Sequence, residues 1–288
     1  PACKCHLQKQ SLHMVHDTVS KNPDSVKYAW VHTDMIKNPW TDKCYKNFEQ
    51  EKEVYSKYDR VIAVSKSVKE AFEKKFELPA QVVYNALDEK EIERKTLLFE
   101  GNPKSEEITR LISIGRLEKV KGFERLIEAF AELIKETPNV ELYLVGDGSE
   151  RSGLERLIAE KKVGDKVKLL GFKSNPYPYL KSSDVFVCSS YAEGFSTVVT
   201  EALILGIPTV TTECAGMREL LGDSEYGLIV ENSTKGILDG LQKMTGDPVM
   251  LEAYQKKAKE RGRAFCVADR IKEIEALIEQ DCEKKRRR

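Results

Sequence analysis

SDVFVCSSYAEGFSTVVTEALILG, from Ser183 to Gly206, passes from strand to loop to helix in one short stretch. SDVFVCSS is an apolar run ending in small polar residues, as buried strands do, and TVVTEALILG has helical apolar spacing closed by Gly206 and Pro208. In an open parallel sheet, ligands sit at the carboxyl ends of the strands, where backbone N–H groups at a helix start can hold an anion. Glu193 is expected in that crevice, and Glu201 about two turns into the helix. Each carboxylate can then serve a different part of one extended ligand.

Working outward, the same alternation runs from Thr109 onward. TRLISIG, VELYLVG, KVKLLG, DVFVCSS, PTVTT and YGLIV read as six short strands, separated by helical stretches such as GFERLIEAFAELIKE and SERSGLERLIAEKK. This pattern predicts an α/β fold with a parallel, doubly wound, Rossmann-like sheet over 109–265. Ahead of it, VKYAWVH, DRVIAVS and QVVYNAL read as strands and SKSVKEAFEKKF as a helix. A doubly wound domain normally has about five or six strands, so residues 1–100 are expected to be a partial, N-terminally truncated domain. LFEGNPKSEE supplies a linker at 101–108, and 266–288 reads as a C-terminal helix and basic tail. In that tail Ile271, Ile274, Leu277 and Ile278 are expected to form a buried stripe, and KKRRR a solvated end.

Composition narrows the partners. The chain has 288 residues, 41% of them hydrophobic, and its 47 basic and 47 acidic residues cancel, so no net field argues for nucleic acid or an acidic membrane. With no apolar run of transmembrane length and no signal-peptide pattern, a cytoplasmic protein is the expectation. The odd count of seven cysteines, with Cys188 in a strand pattern and Cys214 and Cys266 scattered, points to reduced thiols. Cys3, Cys5, His6, His13 and His16 cluster near the start, but their spacing matches no standard zinc motif, so the expectation there is a structureless or misassembled end, with metal binding as the alternative.

The chemistry starts in ISIGRLEKVKGFERLI. Gly115 lets the chain turn out of the strand, Arg116 can fork onto phosphate oxygens, and Lys121 adds a point charge near a helix start, a set suited to a diphosphate. Neither G-x-G-x-x-G nor G-x-x-x-x-G-K-[ST] is present, which removes the dinucleotide and nucleoside-triphosphate loops. Ordinary surface charges on a βα loop are the alternative. His32, at the end of AWVH, is expected to face an interdomain cleft and to contact donor sugar or acceptor, or else to be satisfied within its loop. Asp34 and Trp40 nearby are candidates for an acceptor surface.

These segments together resemble the GT-B glycosyltransferases, specifically the retaining family 4. The resemblance rests on GRLEKVKG (Gly115–Gly122), VGDG (Val145–Gly148), LLGF (Leu169–Phe172) and the E-x7-E segment Glu193–Glu201, in that order, and covers Thr109 to Val230. AWVHTDM, DRVIAVSKSVKEAF and VVYNALD resemble the end of that family's acceptor domain. The resemblance implies that Arg116 and Lys121 neutralise a donor diphosphate, Glu201 accepts hydrogen bonds from ribose hydroxyls, and Glu193 faces the donor sugar. It places the main chain of Gly194, Phe195, Ser196 and Thr197 against sugar and phosphates, and Gly171 and Phe172 at the nucleobase, favouring a uridine donor. The expected reaction is transfer of a hexose-type sugar from a nucleoside-diphosphate sugar to a glycan or lipid-linked acceptor hydroxyl, with retention. The resemblance implies that no cofactor or metal is needed, and the absence of a D-x-D pair after a strand agrees with this. A membrane-peripheral location is compatible with such acceptors. The alternatives are a nucleotide-sugar-binding protein without transfer activity and an epimerase on the same fold. The paired-carboxylate scheme of glycoside hydrolases is discounted, because the two glutamates accompany a phosphate site.

Overall fold

The computed structural model describes residues 5–9, 22, 25–98, 105, 107–265 and 267–287, and of 5–9 only the backbone. The chain forms two compact units, one of Pro1–Ala86, Glu193–Phe195 and Val267–Arg288, the other of Leu87–Ala192 and Ser196–Cys266. The expected linker lies largely outside the described residues.

In the first unit, strands β1 (Cys5–Lys9), β2 (Val26–Val31), β3 (Arg60–Ala63) and β4 (Ala80–Val82) pair in parallel in the order β1-β2-β3-β4. Helix α1 (Phe48–Ser56) precedes β3 and α2 (Lys66–Phe76) follows it. Strand β1 corrects the expectation of a structureless end: Cys5 and His6 are paired with Val26 and Lys27. The strand escapes a reading by pattern because HLQK alternates too briefly to show a period. Cys3, His13 and His16 lie outside the described residues, and among those described no three His, Cys, Asp or Glu side chains gather as metal ligands.

The second unit opens with α3 (Glu89–Thr96) and continues as β5 (Thr109–Ile114), α4 (Phe123–Glu136), β6 (Val140–Val145), α5 (Arg151–Lys161), β7 (Val167–Gly171), α6 (Tyr177–Lys181), β8 (Val185–Cys188), α7 (Thr197–Ile204), β9 (Thr209–Thr212), α8 (Met217–Leu221), β10 (Leu228–Val230), α9 (Thr234–Gly246) and α10 (Pro248–Gly262). The six strands are the six read from the sequence, all parallel, in the order β10-β9-β8-β5-β6-β7. Strand order reverses between β5 and β8, the switch point at which such sheets open a crevice. Helix α4 places Phe123, Leu126, Ile127, Phe130 and Leu133 on one face, all buried against Leu111, Leu142, Val185 and Val187 of the sheet. Arg110 of β5 sits opposite Glu141 of β6 and pairs with it at 2.6 Å, while its backbone N–H donates to Asp184 at 2.7 Å. That buried charge cluster fixes register at the amino ends of the strands, away from the crevice.

The chain returns to the first unit as α11 (Val267–Arg286). Leu277 and Cys282 are buried against Val26, Tyr28, Ile62 and Val83, with Ile274 and Ile278 partly buried beside them. Ile271 departs from the expected stripe: it is 45% exposed. The basic end is likewise only partly solvated, since Lys285 bonds Asp59 at 3.0 Å and the Ser25 carbonyl at 2.8 Å. Asp281 accepts from Tyr28 at 3.0 Å and from Arg60 at 2.7 and 2.5 Å. Burial raises the Asp281 carboxyl, but the hydrogen bonds from Arg60 and Tyr28 overcome this and leave it below its ordinary value. Its contribution to stability is therefore complete above that value and is lost as the pH falls through the lowered one. Asp281→Ala strands the Arg60 guanidinium and is expected to destabilise the chain by about 3 kcal/mol at neutral pH, whereas the double change Arg60→Met with Asp281→Leu restores most of it. Denaturant unfolding of both variants checks this, and equal losses in the two would refute it.

Candidate functional site

The exits of β5, β6 and β7 are locked side by side. Gly115 N–H donates to the Val145 carbonyl at 3.0 Å, Leu117 N–H to Asp147 at 3.0 Å and Gly146 N–H to Gly171 at 2.9 Å. This packing needs glycine at 146, where φ is +144° and an added Cβ would lie 1.8 Å from the Gly115 carbonyl oxygen. Arg116 emerges from the locked turn with 74% of its side chain exposed, paired with Glu118 at 2.7 Å. Lys121 ends a single 3-10 turn, Lys119–Lys121, and its stem passes 3.8 Å from where a Gly115 Cβ would stand. Two cations therefore crowd the β5 exit beside the switch point. An exposed pair such as Arg116–Glu118 is worth about 0–1 kcal/mol, so it yields readily to an anion.

On the other side of the switch point, Ser196 caps α7, its hydroxyl accepting from Val199 N–H at 3.4 Å, and Thr197 is exposed at the first helical position. Because α7 starts at Thr197, Glu201 stands just past the first turn rather than two turns in. Its carboxylate accepts from the Tyr177 hydroxyl at 3.3 Å. Burial pushes the carboxyl up to about 7, and only the Tyr177 bond acts to lower it. Tyr177 is pushed up to about 12, first by burial and then by the Glu201 charge. At the β7 exit Gly171 turns the chain and Phe172 projects its ring, 74% exposed.

Glu193, Gly194 and Phe195 belong to the first unit, as does His32, so the candidates divide between two bodies. Within the first unit, the Gly194 carbonyl accepts from Ser65 Oγ at 3.1 Å, and an added Cβ at 194 would lie 1.9 Å from the His32 carbonyl oxygen. Phe195 packs on Tyr84 with ring centroids 5.1 Å apart. Asp34 and Trp40 are spent on their own loop: the Asp34 carboxylate accepts from Ile36 and Lys37 N–H at 2.9 Å, and Trp40 Nε1 donates to Thr33 at 3.1 Å.

Two residues the sequence reading left aside shape the site. Arg125 is buried at 3% exposure, donates to the Ser189 carbonyl at 2.9 and 2.5 Å, and lies 3.7 Å from the Tyr191 ring centroid, so it clamps the exit of β8. The sequence carried no signal for it, because Arg125 lies off the apolar stripe of Phe123, Leu126, Ile127, Phe130 and Leu133. Tyr177 carried none either, since its pairing with Glu201 is made across two helices.

A family model described as glycosyl transferases group 1 matches residues 94–261, more than half of the chain. The chain belongs to this family. Members it resembles include the N-acetylgalactosamine-N,N'-diacetylbacillosaminyl-diphospho-undecaprenol 4-alpha-N-acetylgalactosaminyltransferase of Campylobacter jejuni, 35% identical over 76% of this chain and 59% of that protein. Another is the N-acetyl-alpha-D-glucosaminyl L-malate synthase of Bacillus anthracis, 31% identical over 62% of this chain and 48% of that one. The chain thus spans about half the length of the curated relatives it matches. Among solved structures, Anabaena Alr3699/HepE in complex with UDP superposes with a TM-score of 0.76 over 89% of this chain and 72% of that one, at 20% identity. S. aureus TarM, in a complex that includes UDP, gives 0.74 over 90% and 52%, at 18% identity. The fold is therefore GT-B type, built on parallel Rossmann-like sheets as the sequence pattern implied. Among the described residues, no helix is long and apolar enough to cross a membrane.

Proposed function

We propose that this chain carries the donor site of a glycosyltransferase that moves a hexose-type sugar from a nucleoside-diphosphate sugar, with a uridine donor favoured, to a hydroxyl of a glycan or lipid-linked acceptor. The observation that carries the reading is the pairing, across one switch point, of the Arg116 and Lys121 cations with the buried Glu201 carboxylate. The cations match the two negative phosphoryl groups, and Glu201 is an acceptor for paired ribose hydroxyls. Phe172 and Gly171 at the β7 exit offer a ring and a main chain to the base. Glu193 is assigned to the donor sugar, with the main chain of Gly194, Phe195, Ser196 and Thr197, and His32 to the donor sugar or acceptor. UDP in HepE and TarM supports the choice of nucleotide, and the diphospho-undecaprenol in the name of the Campylobacter relative supports a lipid-linked acceptor.

In the reaction, the bond between the sugar's anomeric carbon and the diphosphate oxygen breaks, and its electron pair stays on the diphosphate. The acceptor oxygen forms the new bond on the same face, and its proton passes to the departing diphosphate oxygen. Charge growing on the leaving group is met by Arg116, Lys121 and the start of α7, which together supply the electrostatic stabilisation without calling on a metal. Glu193 orients rather than attacks.

Titration of the chain with UDP and GDP tests the site. UDP is expected to bind, and Lys121→Ala to weaken it by about 1.5–3 kcal/mol, roughly 10- to 150-fold. No binding of either nucleotide would sink the proposal. Binding without transfer or hydrolysis of any donor sugar would select the binding-only alternative, and conversion of one nucleotide sugar into another without an acceptor would select the epimerase.

A further inference from the structure

Three consecutive residues of the turn after β5 meet the exit of β8 within the second unit. The Val120 carbonyl accepts from Tyr191 N–H at 2.8 Å, and the Lys121 carbonyl from Ser189 Oγ at 2.9 Å. Gly122 packs so closely on Ser189 that an added Cβ would lie 2.3 Å from its carbonyl oxygen. Arg125 closes the ring from the first turn of α4. Its Nε and one terminal nitrogen donate to that same Ser189 carbonyl at 2.9 and 2.5 Å, and the other terminal nitrogen to the Asn232 carbonyl at 3.4 Å. Asn232, just past β10, returns its side-chain amide to the Tyr191 carbonyl at 3.1 Å. The Tyr191 ring centroid lies 3.7 Å from the guanidinium carbon, and the Tyr191 hydroxyl donates to Glu124 at 2.7 Å.

The consequence falls on Lys121. An ammonium is a point charge on a flexible stem with no directional fork of its own, so its aim depends on the backbone that carries it. That backbone is held from both sides: the Glu118 carbonyl accepts Lys121 N–H at 2.9 Å, and Ser189 Oγ bonds the Lys121 carbonyl. Arg125 in turn holds Ser189, through charge-assisted bonds that are about twice as strong as neutral ones. Arg125 is 3% exposed and Ser189 1%, so neither offers a surface to a ligand and both act through what they hold. Arg116, the other cation, leaves the chain ahead of this turn, between the bonds that tie Gly115 to Val145 and Leu117 to Asp147. We propose that Arg125 and Ser189 are positioning residues for the donor diphosphate: by pinning the exit of β8 to the Val120–Gly122 turn, they fix the direction in which Lys121 presents its charge. The inference rests on the reading of Lys121 as a diphosphate cation, and adds to it two buried groups that touch no ligand.

A double-mutant cycle on the whole chain tests this, read by titration with UDP and with uridine, which has the base and ribose but no phosphate. Arg125→Met, which keeps much of the side-chain volume, is expected to weaken UDP binding about tenfold and to leave uridine within about twofold. In a Lys121→Ala background the same change is expected to cost UDP nothing further, because the charge it aims is gone. Ser189→Ala, a smaller change that removes the bond to the Lys121 carbonyl, should show the same pattern at about threefold. It decides the matter if Arg125→Met does not fold. Unchanged UDP affinity in either folded variant would overturn the proposal. So would an equal loss for UDP and uridine, or a loss that adds in full to that of Lys121→Ala, since either result leaves the two residues a purely structural role. Lys121→Ala weakening UDP while both clamp variants keep full affinity removes the positioning role and leaves the donor reading intact. No UDP binding by the unaltered chain would refute the donor reading itself.

Discussion

Gly146→Ala is expected to lower stability by about 4 kcal/mol and to abolish measurable nucleotide binding. The new Cβ would stand 1.8 Å from the Gly115 carbonyl oxygen, and both partners are backbone, so no side-chain rotation relieves the overlap. A φ of +144° adds strain for any residue with a side chain. The only escape is to part the exits of β5 and β6, which breaks Gly115 N–H to Val145 and Leu117 N–H to Asp147. Arg116 and Lys121 then lose the turn that aims them. Gly153→Ala in α5, where an added Cβ meets nothing within 4 Å, is the matched control and should stabilise by about 0.5–1 kcal/mol. Thermal melting and UDP titration of the pair check the contrast. A Gly146→Ala protein with the melting temperature and UDP affinity of the unaltered chain would refute the argument.

How much of this site the sequence displayed depended on the range of the interaction. The β5 exit was legible because glycine, arginine and lysine sit within one strand–turn–helix stretch, and the six strands because each is a short apolar run between turn residues. The division of the glutamates was not legible. Glu193 and Glu201 are close in the chain, but the run Glu193–Phe195 packs with the first unit, where the Gly194 backbone approaches His32 too closely to admit a side chain. The depth of Glu201 was overestimated: counted from Thr197, the first helical position, it lies four residues, just over one turn, into the helix. Arg125 was not legible either. It lies off the apolar stripe of its helix, among positions that read as solvated, and only the fold brings it to its buried partner, the Ser189 carbonyl. Strand β1 and the Tyr177–Glu201 contact depend on pairing between distant segments, for which periodicity carries no information.

Glu201→Gln is expected to make the unliganded protein more stable at neutral and alkaline pH while making it a poorer nucleotide binder. Burial moves the Glu201 carboxyl from its ordinary 4.5 up to about 7. Below pH 4.5 folded and unfolded chains both hold the proton, and the group exerts no pH-dependent effect. Between those two values only the unfolded chain releases it, so stability falls as the pH rises. Above about 7 the folded state carries a desolvated charge costing about 3 kcal/mol. Glutamine keeps an oxygen for Tyr177 and removes the charge, so its gain in melting temperature should be absent in acid and grow through this window. Ribose hydroxyls donating to the carboxylate would lower its pKa, so binding releases a proton and UDP affinity should rise with pH up to about 8. The variant should flatten that profile relative to the unaltered chain, since whatever slope remains belongs to the diphosphate. It should also bind UDP more weakly by about 2 kcal/mol, roughly 30-fold. On the proposed reading, a carboxylate kept buried at a cost in stability serves a ligand that donates hydrogen bonds. If Glu201→Gln left UDP affinity and its pH slope unchanged, the ribose assignment would have to be abandoned, whatever happened to the melting temperature.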